Sequence, residues 1–170
     1  MLHTTDAIVL SLIRHRDNAF LLRLYTRDQG LVQYLVYGNR YRSYLRPLAL
    51  VEVTSYLRPE RDIQTLQSVS LRFIPKQLTE DIQRQCIAML ITETLIRVLR
   101  HPMADEAVFL YLESAVHELD TTDLLADFPY RFLCRLSELL GYGGEMMEEF
   151  SDLKSFDLLQ YFPLSGMSPS

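Results

Sequence analysis

Apolar positions alternate, or run in short aliphatic blocks, through the first part of the chain, and recur at three- and four-residue spacings in the second. The block from Thr4 to His15 is rich in β-branched and aliphatic residues, which predicts a strand, and Asp17-Asn18 supplies turn chemistry after it. Ala19 to Thr26 and Leu31 to Tyr37 predict two further strands around Arg27-Asp28-Gln29-Gly30, where a glycine can take the positive φ of a tight turn. Gly38 ends the third strand. Leu48 to Leu57 sets Glu52 and Thr54 opposite Val51 and Val53, and Ile63 to Ile74 follows the polar segment Arg58 to Asp62 as a fifth strand. Five strands suit a small closed barrel, whereas a sandwich usually needs about seven.

Past Pro75 the period becomes helical. Thr79 is a candidate cap for a helix with a wide apolar stripe that includes Ile82, Cys86, Met89, Leu90, Leu95 and Val98, until His101-Pro102 stops it. So wide a stripe predicts burial on more than one side. A cleaner helix carries Val108, Tyr111, Leu112, Ala115, Val116 and Leu119, with Asp105 as its cap. A third carries Phe132, Leu133, Leu136, Leu139 and Leu140 and ends at Gly141, with Pro129 either in its first turn or kinking it. Glu145 to Phe150 is a candidate helical turn. The expected architecture is therefore α+β: an oligonucleotide-binding (OB) type five-stranded β-barrel over residues 1–76, followed by an α-helical domain over residues 77–170.

Charge follows the same division. Up to Leu78 there are eleven Lys/Arg and six Asp/Glu, a net of +5; from Thr79 onward there are six and sixteen, a net of −10. A positive barrel attracts a polyanion such as nucleic acid, because neutralising phosphates releases counterions, and an acidic helical part repels the same ligand. An apolar content of 48% is that of a globular chain, and no apolar run approaches the roughly 20 residues that cross a bilayer, so no membrane association and a cytoplasmic location are expected. Cys86 and Cys134 both lie in apolar helical patterns, where a buried thiol is the ordinary reading.

The strongest ligand-binding signal is the loop Asn39-Arg40-Tyr41-Arg42-Ser43-Tyr44-Leu45-Arg46. Guanidinium groups grip phosphates with paired donors, and tyrosine faces stack on unpaired bases. Arg40, Tyr41, Arg42, Tyr44 and Arg46 are thus candidate DNA contacts, extended by Arg14, Arg16 and Arg27. The plain alternative is a solvated loop whose tyrosines close the barrel end. No phosphate-binding loop, G-x-S-x-G elbow or H-E-x-x-H is present, and the four histidines are scattered. No catalytic residue, cofactor or metal site is expected. The carboxylates Glu145, Glu148, Glu149 and Asp152 read as a solvated face, with a metal-dependent nuclease as a remote alternative. On the third helix Arg131 and Arg135, beside Phe132, can receive the acidic, apolar tail of a partner; pairing with Asp127 or Glu138 is the structural alternative. A competing function is a protein-interaction adaptor that docks partners on the acidic helices and uses the barrel as scaffold.

Three stretches of the basic half together resemble the RecO family of DNA repair proteins: Thr5 to Leu10, Leu21 to Val32, and Gly38 with its basic loop. Phe128 to Leu133, leading into Leu136 to Tyr142 with its Glu-Leu-Leu-Gly-Tyr ending, is similar to the family's helical domain. The resemblance implies an OB barrel and a helical domain, binding of single- and double-stranded DNA, and annealing of complementary strands. It also implies action with RecR to load the RecA recombinase onto strands coated by single-stranded DNA-binding protein, without enzymatic turnover. The acidic tail of that coating protein would meet the helical domain, at Arg131, Phe132 and Arg135. Many family members carry a four-cysteine zinc motif after the Gly-Tyr element, but no cysteine follows Cys134 here, so no zinc is expected. The chain also ends sooner than the resemblance leads one to expect, which would leave apolar stripes uncovered unless Leu153 to Phe162 fold back over them.

Overall fold

The computed structural model describes residues 2–38, 41–43, 45–58, 60–99 and 104–142. Five strands, β1 (Leu2–Arg16), β2 (Ala19–Thr26), β3 (Gly30–Tyr37), β4 (Leu50–Tyr56) and β5 (Ile63–Phe73), close a barrel in the order β1-β2-β3-β5-β4. Every pair is antiparallel except β3 with β5, the order and sense of an OB-type barrel. A short 3-10 turn (Gln77–Thr79) leads to α1 (Ile82–Val98), α2 (Glu106–Thr121) and α3 (Phe128–Leu139). The chain divides into two compact units, residues 1–132 and 133–170. The first holds the barrel, α1, α2 and the start of α3.

Inward-facing positions set the barrel core. Ala7, Val9, Leu22, Leu24, Val32, Tyr34, Val51, Val53 and Val69 pack together, and Leu45 of the loop after β3 joins them from the end, with Tyr41 packed alongside. β1 buries all of Ala7 to Leu10 because both of its faces are covered. Val9 faces the core, whereas Ile8 is in register with Tyr25, whose ring stacks on Phe109 of α2 at 6.3 Å. Burial pushes the phenols of Tyr25 and Tyr34 above their ordinary ionisation range, so both are neutral packing groups.

Ion pairs flank the apolar seam between barrel and α2. Asp6 of β1 lies 2.9 Å from Arg72 and 3.7 Å from Arg27; Arg27 also donates to Glu106 of α2 at 3.1 Å, and Arg72 lies 3.6 Å from Glu113. These groups are partly solvated, so the network contributes modestly. Asp6→Ala is expected to lower unfolding free energy by about 1 kcal/mol in dilute buffer and by less at high salt, where surface charges are screened. Denaturant titrations at the two ionic strengths check this.

The helix starts follow from their caps. Asp105 accepts from the backbone N–H groups of Ala107 (2.8 Å) and Val108 (3.2 Å), as its position in the sequence predicts. For α1 the cap is Asp81, which accepts from the Gln83 N–H at 2.8 Å, and not Thr79. The Thr79 hydroxyl is engaged with the Lys76 carbonyl inside the 3-10 turn, so that turn displaces the start of the helix. α1 buries Ile87, Ala88, Ile91 and Leu95 but leaves Ile82, Met89, Leu90 and Val98 exposed, so part of its wide stripe is solvated where burial was expected. Cys86 is exposed and Cys134 half-buried, and neither is a deeply packed thiol. Gly141 has φ +86, and the N–H groups of Gly141 and Tyr142 donate to the Glu138 and Ser137 carbonyls at 3.1 and 2.9 Å, closing the end of α3. His101-Pro102, Glu145 to Phe150 and Leu153 to Phe162 lie outside the described residues.

Candidate nucleic-acid interface

At one end of the barrel, β1 and β2 are joined by the Asp17-Asn18 turn, and the chain leaving β3 passes beside it. The Gly38 N–H donates to the Asn18 carbonyl at 2.9 Å, and Gly38 takes φ +76, a conformation costly for any residue with a side chain. That hydrogen bond holds the basic loop against the hairpin tip. Arg14 and Arg16 are exposed on the hairpin, and Arg14 donates to the Asp17 carbonyl at 3.3 Å. Arg42 is exposed on the loop, its guanidinium 5.7 Å from the centre of the Phe20 ring. Phe20 is the register partner of Arg14. Two segments far apart in sequence therefore bring three solvent-facing guanidinium groups to one rim, where their donors remain available to phosphate.

The other expected DNA contacts divide. Arg46 is exposed on the return of the loop. Tyr41 is packed against the core, as the plain reading of a closing tyrosine has it. Arg27 lies at the opposite turn of the β2-β3 hairpin, held by Asp6 and Glu106 and set against the Phe109 ring at 5.7 Å. It belongs to the seam with α2. Arg40 and Tyr44 lie outside the described residues. Two features escaped the sequence reading. Tyr37, at the end of β3, is 67% exposed, and its only sequence signal is its place directly before a glycine that ends a strand. Buried Gln64 ties the β4-β5 loop, accepting from the Arg58 N–H at 2.8 Å and donating to the carbonyls of Arg58 and Arg61 at 2.9 and 2.6 Å. Arg58 and Arg61 are both exposed on that loop.

On the helices, Arg131 pairs with Glu118 of α2 at 2.7 Å and stands 5.7 Å from the Phe128 ring. The carboxylate is not the neighbouring Asp127 that the sequence offered as partner. Arg135 pairs with Glu138 at 2.7 Å, as the structural alternative had it. Phe132 is 2% exposed and stacks on Tyr111 and Phe128 at 5.7 and 6.4 Å, so it is part of the packing. No group of three or more His, Cys, Asp or Glu side chains is placed to hold a metal ion among the described residues. No helix among them is long and apolar enough to cross a membrane.

A five-stranded closed barrel with arginines gathered at its rim and a helical part after it defines an OB-type nucleic-acid-binding class of protein. Comparison with known proteins narrows this. Residues 1–74 match the family described as Recombination protein O N terminal, and residues 79–168 match Recombination protein O C terminal. The chain belongs to the recombination protein O (RecO) family, and its role lies in DNA repair and recombination. It is 29% identical over 166 residues to DNA repair protein RecO of Phocaeicola vulgatus, covering 94% of this chain and 68% of that protein. It is 30% identical over 149 residues to the Bacteroides fragilis protein of the same name, covering 83% of this chain and 61% of that one. The Flavobacterium psychrophilum protein, again DNA repair protein RecO, is 26% identical over 145 residues, with 81% and 61% covered. The chain thus spans about two thirds of the length of these relatives.

Proposed function

We propose that this chain is a non-enzymatic recombination mediator. Residues 1–76 hold single- and double-stranded DNA and anneal complementary strands. Residues 77–170 engage protein partners, RecR and the acidic tail of single-stranded DNA-binding protein, so that a recombinase is loaded onto coated strands. The observation that carries the reading is the gathering of Arg14, Arg16 and Arg42 at one barrel rim, with Arg46 following on the same loop. Arg131 and Arg135 are the guanidinium groups proposed for the acidic tail, each of which would exchange its present carboxylate for one of the partner's.

The full chain is expected to bind labelled single-stranded oligonucleotides saturably, with affinity falling steeply as salt rises, and to accelerate annealing of complementary strands. Absence of a saturable signal even in dilute buffer overturns the DNA reading. The adaptor reading would then take its place. Its support is the exposed apolar side of α1, where Met89, Leu90, Glu93, Thr94 and Arg97 line an open cleft of about 380 Å³.

A further inference from the structure

Strand register places one aromatic ring beside the basic rim. Side chains directly opposite in an antiparallel pair share a face of the sheet. Past an irregularity in β1 between Arg14 and Arg16, Arg16 is opposite Ala19, and Ala19 is opposite Tyr37, so the three form one row across β1, β2 and β3. Leu22, Leu24, Val32, Tyr34 and Val36 alternate with this set and fill the core, which sets Ala19 and Tyr37 on the other face; there Ala19 is covered, at 6% exposed, and Tyr37 is open. The next row inward along the strands, Ile13, Leu21 and Leu35, is also apolar and at least partly solvated.

Tyr37 is the most exposed aromatic of β1 to β5, at 67%. Its neighbour in the row is an alanine, whose single methyl cannot cover a phenol ring. Tyr37 lies two strand spacings, about 10 Å, from the Arg16 backbone. Arginine is long enough to shorten that gap, so a phosphate held by Arg16 and a base resting on Tyr37 can belong to the same or adjoining nucleotides. Arg14, opposite Phe20 and so on the other face of β1, and Arg42, over the Phe20 ring, lie at the same barrel rim.

We infer that Tyr37 is a stacking platform for an unpaired base, and that it makes the barrel-rim site favour single-stranded over duplex nucleic acid. Within a duplex both faces of each base are already stacked and only edges and backbone are presented, so a protruding ring gains nothing there, whereas an unpaired base has a free face. Guanidinium groups do not discriminate in this way, because both forms carry phosphates. The inference rests on the proposed DNA site and adds its selectivity.

The test uses the full-length chain and anisotropy titrations with labelled oligothymidine, a fully paired blunt-ended duplex and an abasic strand of equal length, each at several salt concentrations. Tyr37→Leu is expected to weaken oligothymidine binding about tenfold while leaving duplex and abasic-strand affinity and the salt slope unchanged; Tyr37→Phe keeps wild-type affinity. Oligothymidine affinity unchanged in Tyr37→Leu, alongside a clear loss in R14A/R16A/R42A, overturns the stacking role and leaves the site standing. An equal loss on all three ligands also overturns it. Unchanged affinity in the triple-arginine variant overturns the site itself.

Discussion

Replacing Arg14, Arg16 and Arg42 together with alanine is expected to weaken single-stranded DNA binding about a hundredfold near 0.1 M salt, and to flatten its salt dependence. Each phosphate contact on a single strand contributes about 0.7 to the slope of log affinity against log salt, so losing three lowers the slope by about 2. The loss applies to every sequence, because phosphate contacts carry no base information. Stability is expected to hold. All three side chains are exposed, none forms an ion pair with a carboxylate among the described residues, and the Gly38 to Asn18 hydrogen bond that sets the loop is a backbone contact. Anisotropy titrations over a range of salt, with a thermal melt of each variant, measure both quantities. A variant that melts like the wild type and binds with the wild-type slope removes these residues from the interface.

Arg84→Ala is expected to produce the largest loss of stability, about 3 kcal/mol. Arg84 is 7% exposed in α1. Its guanidinium donates to the carbonyl of Leu119 and, at 2.7 Å, to that of Thr122, while Nε lies 3.2 Å from Asp81. Those carbonyls close the C-terminus of α2, where backbone acceptors lack intrahelical donors and the helix dipole is negative. Truncation leaves these acceptors buried without a donor and opens a void between the two helices, whereas an exposed arginine would be lost at little cost. Arg84→Lys is expected to recover only part of the loss, since an ammonium lacks the planar fork that reaches two carbonyls and a carboxylate at once. Denaturant midpoints at constant m-value give the difference. A shift no larger than that of Arg97→Ala, whose pair with Glu93 is solvent-exposed, would show that the clamp contributes little.

How far the sequence was legible depends on the range of the interaction concerned. β2 was bounded to the residue, and the other strands to within two residues, because alternation and turn chemistry act between near neighbours. Asp105 and Gly141 were readable as helix punctuation for the same reason. The shift from Thr79 to Asp81 was not, since a 3-10 turn tied to Asp120 through the Gln77 N–H at 2.8 Å decides where α1 begins. Arg84 is one polar residue in the apolar sequence of α1. The carbonyls it holds lie 35 and 38 positions away, and no local pattern marks them.

The arginines of the basic half show the division most clearly. Their number, and the excess of positive charge over the barrel, are properties of the sequence alone, as is the change from a two-residue to a helical period after Pro75. Which of them stay open to a ligand was decided by tertiary structure. Arg27 and Arg72 are occupied because α2 brings Glu106 and Glu113 against the barrel, and Arg14, Arg16 and Arg42 stay solvated because two loops meet at the other rim. Local backbone preference acts over a few residues and is written in order along the chain. Charge pairing acts through space, between groups as much as 79 residues apart, and exists only once the barrel has closed and the helices have packed against it.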